Sequence, residues 1–107
     1  MSNWTRVILA TSSLENKGSE DGPKFYPAID AINSWLSKHS NCLLFQVQNP
    51  DDTANSPDDL FVAYCKGLSW SGFTEAVSAA PWEWKEQVQL FLEQEDDLGF
   101  QKLELTR

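Results

Sequence analysis

The residues of this 107-residue chain with the types to do chemistry are one histidine, His39, and two cysteines, Cys42 and Cys65. A histidine acting as a general base needs a nucleophile or an orienting carboxylate within hydrogen-bond reach. The serines supply no such partner in sequence, because Ser12, Ser13, Ser69 and Ser71 lack the Gly-x-Ser-x-Gly setting of a nucleophile elbow. Zinc asks for three or four His, Cys or carboxylate ligands, and one histidine with two well-separated cysteines falls short. The segment Asp51–Asp59 (DDTANSPDD) places Asp51, Thr53 and Asn55 at the first, third and fifth positions of a calcium loop. It then has Ser56 where the turn needs glycine and Val62 where coordination needs glutamate, so it reads as a solvated turn held by Pro50 and Pro57. Gly67, Gly72 and Gly99 form no phosphate cradle. The expectation is therefore no catalytic residue, no metal site and no cofactor.

What the chain does carry is charge. Asp and Glu number 16 against 8 Lys and Arg, for a net charge of -8. The acids are not spread evenly. Between Lys38 and Lys66 lie Asp51, Asp52, Asp58 and Asp59 with no base among them, and between Lys85 and Lys102 lie Glu86, Glu93, Glu95, Asp96 and Asp97. If these two runs share one edge of the fold they make a single negative patch able to steer a basic partner; taken singly, each is an ordinary solvated loop. Nucleic acid is disfavoured as a ligand because phosphate binding needs grouped Lys and Arg, and an anionic membrane surface is disfavoured for the same reason.

Five tryptophans add a second unusual feature. In Pro81-Trp82-Glu83-Trp84 two of them stand two residues apart, pointing together on a strand and well apart on a helix. Either both are core or boundary residues, or one packs inward with Trp35 and Trp70 while the other is left exposed as an interface anchor.

The elements that would position these residues follow from hydrophobic period. Trp4–Ala10 reads as a strand with Thr5, Val7 and Leu9 on one parity and Trp4, Arg6 and Ile8 on the other. Phe25, Ala28, Ile29, Ile32, Trp35 and Leu36 recur at helical spacing, with Pro27 in the first turn and His39 at the far end, where unpaired carbonyls favour a cation. Cys42–Gln48 and Leu60–Gly67 read as two strands of a hairpin in which paired residue numbers sum to 107. This register puts Leu43, Phe45, Val47, Leu60, Val62 and Tyr64 on one wholly apolar face, the arrangement that pins register. The other face, with Gln46, Gln48 and Asp59 beside Leu44, Phe61 and Ala63, is half apolar and expected to be partly wet. The same register sets Cys42 opposite Cys65, read as two thiols in a reducing cytosol, with a redox switch as the alternative. Trp70, Phe73, Val77 and Ala80 form a second helix capped by Ser69 or Ser71 and stopped by Pro81. Residues 84–92 fit a helix or a strand; the strand is preferred, with Glu95-Asp96-Asp97 turning into a last strand over Phe100–Thr106.

The expected fold is thus one α+β domain over residues 1–107, with two helices on one face of a mostly antiparallel sheet of four or five strands in the ferredoxin-like order β-α-β-β-α-β(-β). The chain lacks an 18-residue apolar run and opens without a basic stretch followed by an apolar core, so cytoplasmic residence is expected. Fold implies no function, and two readings stand. In the first, the chain is a non-catalytic protein that inhibits or neutralises a basic protein partner. Asp51, Asp52, Asp58, Asp59, Glu95, Asp96 and Asp97 then meet its cations, and Trp82 or Trp84 supplies the buried contact. In small size, acidity and aromatic content the chain resembles intracellular immunity proteins, antitoxins and phage-encoded inhibitors, a likeness of composition without a shared motif. In the second, it is a small enzyme or ligand-binding dimer whose pocket between sheet and helices is lined by Trp4, Tyr26, Trp35, Tyr64 and Trp70, with His39 or Arg6 as the polar group. A homodimer through a strand edge or the half-apolar sheet face is compatible with either.

Overall fold

A computed structural model describes residues 4–18, 23–47, 58–94 and 99–105. Strand β1 (Trp4–Ser12) is followed by a 3-10 turn at Ser13–Glu15 and helix α1 (Pro27–His39). Then come β2 (Phe45–Gln46), β3 (Asp58–Lys66), α2 (Trp70–Ala79), a second 3-10 turn at Lys85–Gln87, β4 (Gln89–Gln94) and β5 (Gln101–Leu103). The α+β class and the expected order of helices and strands are both seen. The five strands form one antiparallel sheet in the order β2-β3-β1-β4-β5. The ambiguous segment at 84–92 divides, turning first and becoming β4 from Gln89. Phe25, placed on the helical stripe by spacing, lies ahead of α1 and is exposed.

Central β1 organises the sheet. Val7 stands between Ala63 of β3 and Leu92 of β4, and Leu9 between Phe61 and Leu90. These side chains are buried in one cluster with Ile29, Ile32 and Leu36 of α1 and Phe73 and Val77 of α2. Both helices therefore pack on the face presented by the odd-numbered residues of β1. They approach closely at Gly72, where a β-carbon would meet the Trp35 ring at 3.1 Å. Gly67, at φ 68, takes the left-handed conformation that turns β3 toward α2. Ser69 caps α2 by accepting from the Gly72 N–H at 3.3 Å.

The hairpin register is as expected, with Phe45 opposite Val62 and Gln46 opposite Phe61. Which face it buries is the reverse. Leu44, Phe61, Ala63 and Cys65 turn to the helices, and Leu43, Phe45, Val47, Leu60, Val62 and Tyr64 are exposed. The cause lies in the central strands. Burying the even parity of β1 and the matching residues of β4 would place Arg6 and Glu93 beneath the helices, and removing each ion from water costs several kcal/mol. Exposing Leu9, Val7, Leu90 and Leu92 would add to that. Polar groups on the buried face find partners: the Tyr26 hydroxyl donates to Asp59 at 2.6 Å, and the Trp70 indole N–H to Thr5 Oγ1 at 3.0 Å. Burial and the Asp59 carboxylate hold the Tyr26 phenol well above its ordinary range.

A second correction concerns the cysteines. Cys42 and Cys65 are joined in a disulfide with Cα atoms 5.4 Å apart, rather than facing each other as thiols. Cys65 is fully buried on the helix side. Beyond it β2 is held by a short ladder and by Asn33 of α1, whose Oδ1 accepts from the Leu44 N–H at 2.8 Å.

Candidate functional site

Two tryptophans separated by one glutamate have different fates. Trp82 is half-buried against the core, its indole N–H donating to the Val77 carbonyl at 2.6 Å at the end of α2. Trp84 stays 37% exposed. The backbone between them does not follow a helix or a strand, since Pro81 ends α2 and the next turn starts at Lys85. Its hydrogen-bond donors are met by a side chain from far away in sequence. Glu15, only 2% exposed, accepts from the backbone N–H groups of Glu83 at 3.1 Å and Trp84 at 2.7 Å.

Glu15 reaches this position because Ser12 ends β1 by accepting from the Leu14 N–H at 3.2 Å, curling the chain into a 3-10 turn. The pattern Ser12-x-x-Glu15 is that of a capping box, in which the glutamate normally reaches back to its own helix start. Here it reaches across to residues 83 and 84 instead. Two further ties hold the segment: Lys17 pairs with Glu83, and Lys85 donates to the Ser78 carbonyl at 2.6 Å. Trp84 thus projects from a backbone ledge fastened on both sides, with the exposed carboxylates of Glu83 and Glu86 beside it. Replacing Glu15 with Ala strands two N–H groups, and hydrogen bonds to a charged acceptor contribute about 1.5–3 kcal/mol each. A loss of roughly 3–6 kcal/mol in urea unfolding is expected, together with red-shifted Trp84 emission as the ledge loosens. An unchanged midpoint would refute the anchoring role.

Compared with protein-family models, curated proteins and solved structures, the chain matches none.

The acidic residues marked by sequence are distributed as follows. Asp51, Asp52, Glu95, Asp96 and Asp97 lie outside the described residues, as does the side chain of Asp58. Asp59 turns toward the helix side, where it holds the Tyr26 hydroxyl. The described residues that flank the two base-free runs stand at opposite ends of β1: Asp58 pairs with Ser12, and Gln94 with Thr5. Seven residues of strand separate those pairings, roughly 23 Å at the usual rise.

The aromatic residues of the pocket expectation are not brought together. Trp4 and Tyr64 stack on each other on the sheet face away from the helices, with centroids 4.5 Å apart. Tyr26, Trp35 and Trp70 belong to the helix side, where Tyr26 meets Phe61 edge-on and Trp35 packs near Phe73. The space between sheet and helices is filled by Phe73, Ile32, Leu36, Leu9 and their neighbours. His39 lies in the last turn of α1, as expected, stacked on Trp35 at 4.5 Å. Among the described residues no group of three His, Cys, Asp or Glu side chains could hold a metal ion. No helix among them is long and apolar enough to cross a membrane.

A broad, open depression of about 880 Å³ occupies the sheet face away from the helices, lined by Arg6, Ile8, Phe45, Val62, Tyr64 and Phe100, among others. Sequence reasoning missed both this surface and the role of Glu15. The register that exposes the surface was legible, but which of the two faces the helices would cover was not.

Proposed function

We propose that this chain is a non-catalytic protein that binds a basic protein partner and neutralises it, in the manner of an immunity protein, antitoxin or phage-encoded inhibitor. The observation that carries the reading is the Trp84 ledge. A large aromatic side chain is left 37% exposed on a backbone that a buried glutamate keeps in place, between Glu83, which pairs with Lys17, and the Lys85-Glu86 pair of residues. A rigid aromatic anchor within a charged rim is the arrangement in which a few residues supply most of the binding energy. The net charge of -8 adds long-range attraction for a basic partner. Asp51, Asp52, Asp58, Glu95, Asp96 and Asp97 are proposed as rim contacts by their charge alone. Asp59 is better suited to holding Tyr26, and Trp82 to supporting the ledge from within.

The split βαβ, ferredoxin-like description of the fold belongs to the same proposal. It is supported by β1 lying between β3 and β4 with β2 outside β3, β5 then being an added edge strand. Cytoplasmic residence is likewise proposed, and the disulfide pulls against it, because such bonds persist mainly in oxidising compartments. The pocket reading has less support, since its five aromatic residues stand on two sides of the sheet.

The test is affinity capture with the immobilised chain at low and high salt, followed by binding kinetics on the retained protein. A basic protein should be retained, its association slowing steeply as salt rises. Trp84→Ala should weaken binding by about 30-fold or more, the loss expected of a hot-spot residue. Binding that ignores ionic strength, or that survives Trp84→Ala and Asp96→Lys with Asp97→Lys unchanged, would overturn the reading.

A further inference from the structure

The sheet face away from the helices is a surface that the Trp84 ledge does not use. Phe45, Tyr64 and Phe100 are 66%, 52% and 40% exposed on it, and Leu43, Val47, Leu60 and Val62 join them. Aromatic side chains carry 150–250 Å² each, so the three rings alone offer roughly 300 Å², and the aliphatic residues bring the patch to roughly 500–600 Å². That is the upper end of what a soluble monomer leaves uncovered. With its rim included it approaches the ~800 Å² that each partner contributes to a standard interface.

Charge narrows the occupant. The strands put Arg6, Lys66, Lys102 and Glu93 on this face among their described side chains, and Glu93 is neutralised by Arg6 at 3.3 Å. A chain of net charge -8 therefore presents here a surface without a free described carboxylate. Two chains of net charge -8 repel least where they meet through a surface poor in carboxylates, with Lys66 at the end of β3 and Lys102 on the edge strand β5 left at its margin.

We infer that this face is the contact surface for a second copy of the chain, the two sheets packing face to face about a two-fold axis. A sheet face with an apolar patch over β2 and β3 can serve as both halves of such a contact, because a two-fold interface uses the same patch twice. Aligned sheets pack about 10 Å apart with interdigitating side chains, and Phe45, Val62 and Tyr64 form a contiguous centre for that packing. The depression beside Arg6 receives side chains of the opposing sheet. Trp84 and its carboxylates are reached from α2 and the 3-10 turn before β4, so dimerisation leaves the ledge free and does not depend on the basic-partner reading.

The experiment is sedimentation equilibrium of the full chain at roughly 10–100 μM, above the micromolar Kd that an interface of this size supports at its weaker limit. A dimer is expected. Added salt should tighten it, since salt screens the repulsion between two chains of like net charge, the opposite of the trend expected for a basic partner. Phe45→Ser and, separately, Val62→Asp should each raise the dimer Kd by about 100-fold or more, as for hot-spot truncation. Circular dichroism should show both variants still folded. A wild-type chain that stays monomeric across the range overturns the inference, whether the face then takes another protein, a small apolar ligand or an oligonucleotide. A dimer that persists in both folded variants overturns it as well, because the contact then lies elsewhere.

Discussion

A carboxylate at position 61 is expected to abolish cooperative folding, whereas the same change one residue further along leaves the protein folded. Phe61 is buried on the helix side of β3, opposite Leu9 and edge-on to Tyr26. Phe61→Asp removes packing worth about 3–5 kcal/mol and leaves an unpaired charge whose desolvation costs several more. Together these approach or exceed the 5–15 kcal/mol stability of a typical domain. Val62 points away from the helices into the open face. Val62→Asp should shift the unfolding free energy of the monomer by less than about 1 kcal/mol, as for surface substitutions generally. Urea titration followed by tryptophan fluorescence separates the outcomes. A folded Phe61→Asp beside an unfolded Val62→Asp would mean that the helices cover the other face.

Opening the Cys42–Cys65 bond is expected to lower stability by about 3 kcal/mol, from the chain entropy released on opening a loop of this length. The sequence separation is 23 residues. The loss should appear equally in the double variant Cys42→Ser with Cys65→Ala and in wild-type protein under reductant. Its local expression should be at β2, whose ladder to β3 covers Phe45 and Gln46 among the described residues. With the crosslink gone, exchange of the Val47 N–H, which donates to the Leu60 carbonyl at 2.8 Å, should accelerate well before that of β1. A midpoint indifferent to reductant would show that the two sulfurs are not joined in solution.

Local pattern carried much of this molecule. The period of Ala28, Ile29, Ile32 and Leu36 identified α1. Ser69 and Pro81 bracketed α2, and the symmetry of the hairpin about its polar segment set Phe45 opposite Val62 and Cys42 opposite Cys65. Each of these depends on neighbours within a strand pair or a helical turn, where side-chain spacing suffices. The Trp84 ledge was half legible. Two tryptophans with one residue between them left open whether both were core or boundary residues or one stood outward, and Trp82 is half-buried while Trp84 is exposed. Glu15 was not legible, since its partners lie 68 and 69 residues away.

Tertiary structure alone decided which sheet face is buried. Taken by itself, the β2–β3 hairpin is best served by hiding Phe45, Val62 and Tyr64. In the five-stranded sheet the choice passes to β1 and β4, where Arg6 and Glu93 share the parity of those residues, and hydrating two ions outweighs covering an apolar edge. Alternation along each strand was therefore set by the amino-acid sequence, but its sign was a property of the whole sheet. That sign leaves an apolar surface outside the core and Trp84 on a ledge held by a distant glutamate.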